Sequence, residues 1–303
     1  MSRRSWLLFI ALGVIWGIPY LLIKVAVREL TPASLVFLRT AIGAAILVPV
    51  VVWRGGARAL LARWRPIVLF TIVELAIPWF LLSEAETRVT SSLAGLFMAS
   101  VPLVGALLAR LTGRHEPLGA RRVVGLVVGL VGVVALLGLD LGRGDLPAIV
   151  ALAVVAIGYA IGPMIVSRRL SDLPVLDVVA VALALCAIGY APVGIAQLPH
   201  RMPAPEVIVA VVVLGVACTA AAFLLFFRLI AEVGPVRATV ITYVNPAVAV
   251  AAGVTLLGEP FTLGTGVGFV LILAGSWLAT ASGGARTAPA EKAELPRPAT
   301  VNQ

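Results

Sequence analysis

From Leu146 to Ser167 the chain passes 22 residues without one charged side chain. Comparable uncharged runs cover Ser5–Ile23, Thr40–Trp53, Val89–Ala109, Val123–Leu139, Val178–Pro199, Val207–Phe227, Ala238–Gly258 and Pro260–Ala285. Pro66–Ser83 is broken only by Glu74, and the run from Thr40 reaches span length once Arg39 is counted inside it. A bilayer-crossing helix needs roughly 17–25 mainly apolar residues, so the pattern predicts ten helices and an all-α membrane protein. The runs are continuous, whereas barrel strands alternate, and a helix satisfies its own backbone in hydrocarbon. With 61% of residues hydrophobic and 12% charged, against roughly 45–50% and 25% in soluble domains, a water-soluble globule is excluded.

The net charge of +9 raises the question of nucleic acid, but its distribution answers no. Folding the chain back and forth from a cytoplasmic N-terminus places seventeen of the 23 Lys and Arg on the inner side. Only Arg28, Arg88, Arg143 and Arg201 fall outside, while Lys24 and Arg39 lie within or at the edge of helices. That bias is a topology signal and puts both termini in the cytoplasm. The first run is too long for a signal peptide and lacks a small-residue cleavage site after it. Cys186 and Cys218 both lie inside expected helices, so neither a disulfide framework nor a metal site is expected. The tail 286–303 is rich in Pro, Ala and charge and is expected to be a disordered cytoplasmic segment.

One unusual sentence occurs twice. Pro102 aligns with Pro246, Trp79 with Phe223 and Val89 with Val233 without a gap. After one skipped residue Glu116-Pro117 meets Glu259-Pro260, then Gly125 meets Gly268 and Gly132 meets Gly275. The expected organisation is therefore two five-helix repeats, 1–140 and 145–285. Five is odd, so the second repeat enters from the opposite side, and the arginine-rich loop around Glu116 has an arginine-free external copy around Glu259. Inverted repeats of this kind build carriers that expose one central site alternately to each side.

These residues resemble the ten-helix, EamA-type members of the drug/metabolite transporter superfamily. The resemblance is carried by Trp16-Gly17, Pro32, Arg39, Pro102, Glu116-Pro117, Gly125 and Gly132 in the first half. Asn245-Pro246, Gly258-Glu259-Pro260, Gly268 and Gly275 carry it in the second, and together they span about 280 of 303 residues. Tyr159 stands near the place where a second Trp-Gly would fall. The resemblance implies an inner-membrane, multi-pass carrier that exports a small metabolite such as an amino acid, with a central cavity lined by both halves. It implies a small-molecule solute and the lipid bilayer as partners, and no enzymatic activity or cofactor.

Glu74 sits mid-run, roughly eight residues from Pro66 and nine from Ser83. A carboxylate at such depth costs about 2.5–3.5 kcal/mol on insertion scales and is a functional hypothesis by default. It is the candidate proton carrier, weighed against a structural ion pair with Arg39 or Lys24. Arg39, one to two turns into its helix, is expected to pair with Glu74 or snorkel outward, with an anionic solute group as the other choice. Trp16 and Tyr20 (i, i+4), Trp79, Tyr243 and Asn245 are candidate pathway residues for an amphipathic solute. Pro102 and Pro246 are expected to kink their helices by removing a backbone donor. Glu116 and Glu259 read as helix N-terminal caps. Gly125, Gly129 and Gly132 read as a packing stripe within one molecule, with the assembly left between monomer and homodimer. There is no Walker A or H-E-x-x-H motif. The alternative function is a membrane-embedded enzyme or lipid scramblase, and the enzyme would need intramembrane His/Asp clusters that the sequence does not contain.

Overall fold

The computed structural model describes residues 2–54, 57–111, 120–140, 146–234, 241–242 and 244–280. Glu116-Pro117, Tyr243 and the tail 286–303 lie outside the described residues. Seven helices are long and apolar enough to cross a bilayer: α1 (Arg3–Ala26), α2 (Pro32–Trp53), α3 (Trp64–Arg88), α4 (Ser91–Leu108), α6 (Leu146–Arg169), α7 (Val175–Ala196) and α8 (Pro205–Val233). Three shorter apolar helices, α5 (Val123–Ala135), α9 (Asn245–Leu257) and α10 (Leu263–Leu278), take the remaining expected places. Ten full-length spans were expected, and the described residues give seven. For α9 the cause is local. Pro246 stands in its first turn, and Gly258 closes it at φ 66°, in the left-handed region where only glycine sits easily.

The expected proline kinks take a specific form. Pro102 and Pro246 each occupy the second residue of a helical segment, Val101–Leu111 and Asn245–Leu257. At Pro246, in the first turn of α9, the proline is tolerated because that backbone N–H has no intrahelical partner in any case. Pro246 therefore opens a helix rather than bending one. Pro102 follows a tight 3₁₀ turn at Met98–Ser100 inside α4, and Ser276 of α10 donates its hydroxyl to Ala99 O at 2.8 Å. The carbonyl loosened at that irregular turn is satisfied by protein, as hydrocarbon requires.

Two further irregularities carry the interior. α3 widens to a π-helix at Thr71–Ala76, and α8 does so at Val216–Ala221. They differ by 145 positions, one residue from the register that aligns Trp79 with Phe223. Side chains donate to carbonyls beside both turns: Tyr190 Oη to Ala76 O at 2.9 Å, and Thr219 Oγ1 to Leu214 O at 2.8 Å.

Packing runs between the halves. The most extensive contacts of α1, α2, α3, α4 and α5 are with α8, α7, α6, α9 and α10 respectively. Close approach depends on missing side chains. A Cβ on Gly275 of α10 would collide with the Gly129 backbone of α5, and one on Gly132 would press on Ile272, so the glycine stripe packs within the molecule. Ion pairs sort by end: Arg63–Asp172, Arg54–Asp177 and Arg4–Glu232 join segments expected on one side.

Candidate functional site

The site is built where α2, α3, α6 and α8 meet. Gly43 of α2 lies against Thr219, and Gly215 of α8 lies against Ile42. That close fit brings Arg39 beside the π-helical turn of α8. Arg39 is only 8% exposed. Its Nε donates to Thr219 Oγ1 at 3.0 Å. Thr219 has already given its own proton to Leu214 O, so its hydroxyl can only accept here, and the chain Arg39–Thr219–Leu214 has a fixed direction. The guanidinium carbon lies 3.7 Å from the centroid of the buried Trp79 ring, which is close cation–π geometry.

Neither expected fate of Arg39 is realised. It does not snorkel, and among the described residues no ion pair reaches it. Its charge is held by a hydroxyl and an aromatic face, neither of which is an anion. Glu74 lies on the π-helical turn of α3, facing α6. Its Oε2 is buried without a hydrogen-bond partner, and it pairs with neither Arg39 nor Lys24. A Cβ at Gly162 would overlap its carboxylate, and one at Gly158 would strike Val73 O and Pro78. These two glycines, one turn apart on α6, form the groove in which the π turn lies.

The aromatic candidates divide. Trp16 leaves the Arg39 group and packs edge-on to Phe223 at 5.9 Å and against Phe226 at 4.7 Å, both on α8. Tyr20 covers Gly95 of α4. Asn245 opens α9 with its Oδ1 buried and unpartnered, and Gly17 admits α9 so closely that a Cβ would touch Val248 and Asn245 O. Tyr243 lies outside the described residues.

The sequence profile of the EamA-like transporter family matches residues 4–138 and again residues 146–281. The chain belongs to the EamA-like transporter family. An uncharacterized transporter of Archaeoglobus fulgidus is 24% identical over 281 residues, covering 91% of this chain and 98% of its own. The uncharacterized inner membrane transporter YedA of Escherichia coli K12 is 29% identical over 257 residues, covering 82% of this chain and 81% of its own. A solved crystal structure shares the fold with a TM-score of 0.66 at 25% identity, over 92% of this chain and 98% of its own.

In this EamA-family chain, sequence reasoning missed three contributors. Thr219 is one hydroxyl in an apolar run, and nothing local marks it as the partner of a residue 180 positions away. Glu259 does cap a helix, but that of the other half. Its two oxygens accept from Ser91 N (2.7 Å) and Oγ (2.9 Å) and from Ser92 N (2.9 Å) and Oγ, at the start of α4. Glu86 receives no reading from the sequence, because the uncharged run ends at Ser83 while α3 continues to Arg88. The spacing Trp79, Ser83, Glu86 is i, i+4, i+7, which places all three on one helix face. That periodicity was the available signal.

Proposed function

We propose that this EamA-family member is an inner-membrane secondary transporter that exports a small carboxylate-bearing metabolite, such as an amino acid, by alternating access. The observation that carries the reading is the Arg39 guanidinium, buried between the halves with no carboxylate of the protein beside it. A buried charge is costly unless paired, and a planar guanidinium suits two-point recognition of a carboxylate. Trp79, stacked on its face, adds an apolar wall for the rest of the solute.

Glu74 is the proton carrier in this scheme. Its carboxyl sits on a π turn, a feature that recurs at functional sites, and it has a glycine groove in place of a counter-ion. Rocking of the two halves about the shared site supplies access to each side, with both termini in the cytoplasm. The inner-membrane assignment leans on the printed name of the Escherichia coli relative and on the arginine bias.

Flux in proteoliposomes tests this directly. Wild-type protein is expected to move labelled amino acids and not the amines left by removing their carboxylate, with accumulation driven by an imposed pH gradient. Arg39→Gln should abolish that selectivity and Glu74→Gln the response to the gradient. Equal transport of amine and amino acid would overturn the carboxylate assignment, and full pH-dependent accumulation by Glu74→Gln would remove the proton role.

A further inference from the structure

Three carboxyl groups gather at one end of α3, and they are treated differently. Glu84 pairs with Arg88 at 3.2 Å on the exposed side. Glu259 is held by two serines, as described. Glu86 is fully buried at 0% exposure, and both of its oxygens lack a partner. A cation is at hand. Lys24 of α1, however, gives its Nζ protons to two main-chain oxygens, Glu86 O at 2.6 Å and Val89 O at 2.7 Å. These carbonyls belong to the last turn of α3 and the residue after it, where helical acceptors go unsatisfied and a cation is favoured. Lys24 thus closes the end of α3 from a neighbouring helix while the carboxyl one side chain away has no ion pair.

An ionised carboxylate with no hydrogen bond and no counter-ion at a fully buried position is not a stable arrangement, and Lys24 would move to it. The ammonium remains on neutral carbonyls because the Glu86 carboxyl carries no charge. We infer that Glu86 binds a proton in this arrangement, and that releasing it transfers Lys24 from the main-chain oxygens of α3 to the Glu86 carboxylate. The step is a simple ionisation: Glu86 gives its proton to water, and Lys24 exchanges two carbonyl acceptors for one anion. The end of α3 then loses its closing cation, and the contact between α1 and α3 loosens there. The other groups that act on Glu86 are Glu259 from the segment after α9, Arg39 from α2, Tyr20 from α1 and Tyr159 from α6. Glu259 is held by serines and Arg39 by Thr219, which leaves Lys24 as the mobile partner. Glu86 lies 12 residues beyond Glu74 on the same helix, about 18 Å at 1.5 Å per residue, with Trp79 between them.

This inference rests on the transport reading for its purpose, but its test does not need flux. In the full chain in lipid nanodiscs, an infrared pH titration is expected to show a protonated-carboxyl band that vanishes on alkalinisation. Glu74 is buried and unpaired as well, so the component owed to Glu86 is the one that persists in Glu74→Gln and disappears in Glu86→Gln, and Glu86→Asp, which keeps the acid, should shift it. Spin labels at Val27→Cys and Thr87→Cys, with Cys186 and Cys218 replaced by Ala, should give a separation that widens on alkalinisation in the otherwise unaltered protein and stays fixed when Glu86→Gln is added. A Glu86→Gln spectrum identical to wild type, or a label separation that moves with pH in its presence, overturns the proposal. If proteoliposomes show no solute flux while band and separation behave as expected, the transport assignment falls and the proton switch stands.

Discussion

The π turn of α3 and the π turn of α8 are the same backbone device given two different chemistries. Thr71–Ala76 presents Glu74 to a groove of glycines on α6. Val216–Ala221 presents Thr219 to the guanidinium of Arg39. In the register that aligns Trp79 with Phe223, Glu74 corresponds to Cys218, a buried thiol. The two segments that match the family profile therefore share a place where the helix widens, and they part company over what is placed there. A π turn offsets side chains from the ordinary helical stripe and leaves carbonyls to be bonded by others, so it can deliver a polar group between helices. The difference teaches that repetition preserves backbone geometry, which packing demands, while the side chains at the centre are free to specialise.

The largest effect that would break this comparison is on solute affinity. Arg39→Gln is expected to weaken binding of a carboxylate-bearing solute by about 30-fold or more, from a loss of about 2 kcal/mol or above when a buried charge loses its partner. A ligand-induced thermal-shift titration measures it, and an unchanged affinity would detach the α8 side from solute recognition. Next comes the groove opposite Glu74. Gly162→Ala should lower stability by about 1–3 kcal/mol through overpacking, read as a lower melting temperature. Glu74→Ala should recover part of the loss, because the two side chains compete for one space. Purely additive losses would mean that Glu74 does not lie in that groove.

On the α8 side, Thr219→Val removes the acceptor for Arg39 and the donor to Leu214 O. A cost of about 1–3 kcal/mol is expected from leaving a buried group unsatisfied, and Thr219→Ser should restore most of it. Equal behaviour of the two variants would show that the hydroxyl is not what orients Arg39. The smallest effect sharpens the asymmetry: Cys218→Ala, at the position matching Glu74, should change transport little, with a stability loss of about 1 kcal/mol from one missing buried atom. A pH response lost in Cys218→Ala would place proton handling in both halves.

Much of the fold was legible because hydrocarbon permits so little. Uncharged runs of span length have one backbone solution, and the doubled Pro and Glu-Pro spacings exposed the repeat. The candidate site was legible residue by residue and not as an arrangement. Glu74 and Arg39 stood out as charges at apolar depth, and electrostatic intuition would join them, yet they face different helices. Pro246 read as an interruption because the run continues on both sides of it, whereas the helix begins there. Glu259 read as the cap of its own helix, because sequence shows only the nearer of two helix ends.

The amino-acid sequence alone determined the solvent, the helical class and the repetition, since each follows from composition and spacing along one chain. Tertiary structure decided which charges meet. Partners such as Arg39 and Thr219, or Ser91 and Glu259, lie 180 and 168 positions apart, and only glycine-mediated approach between the halves sets their separation. Electrostatic and hydrogen-bond energies fall steeply with distance and angle. Roles that depend on a few ångströms were therefore written in the packing and not in the order of residues.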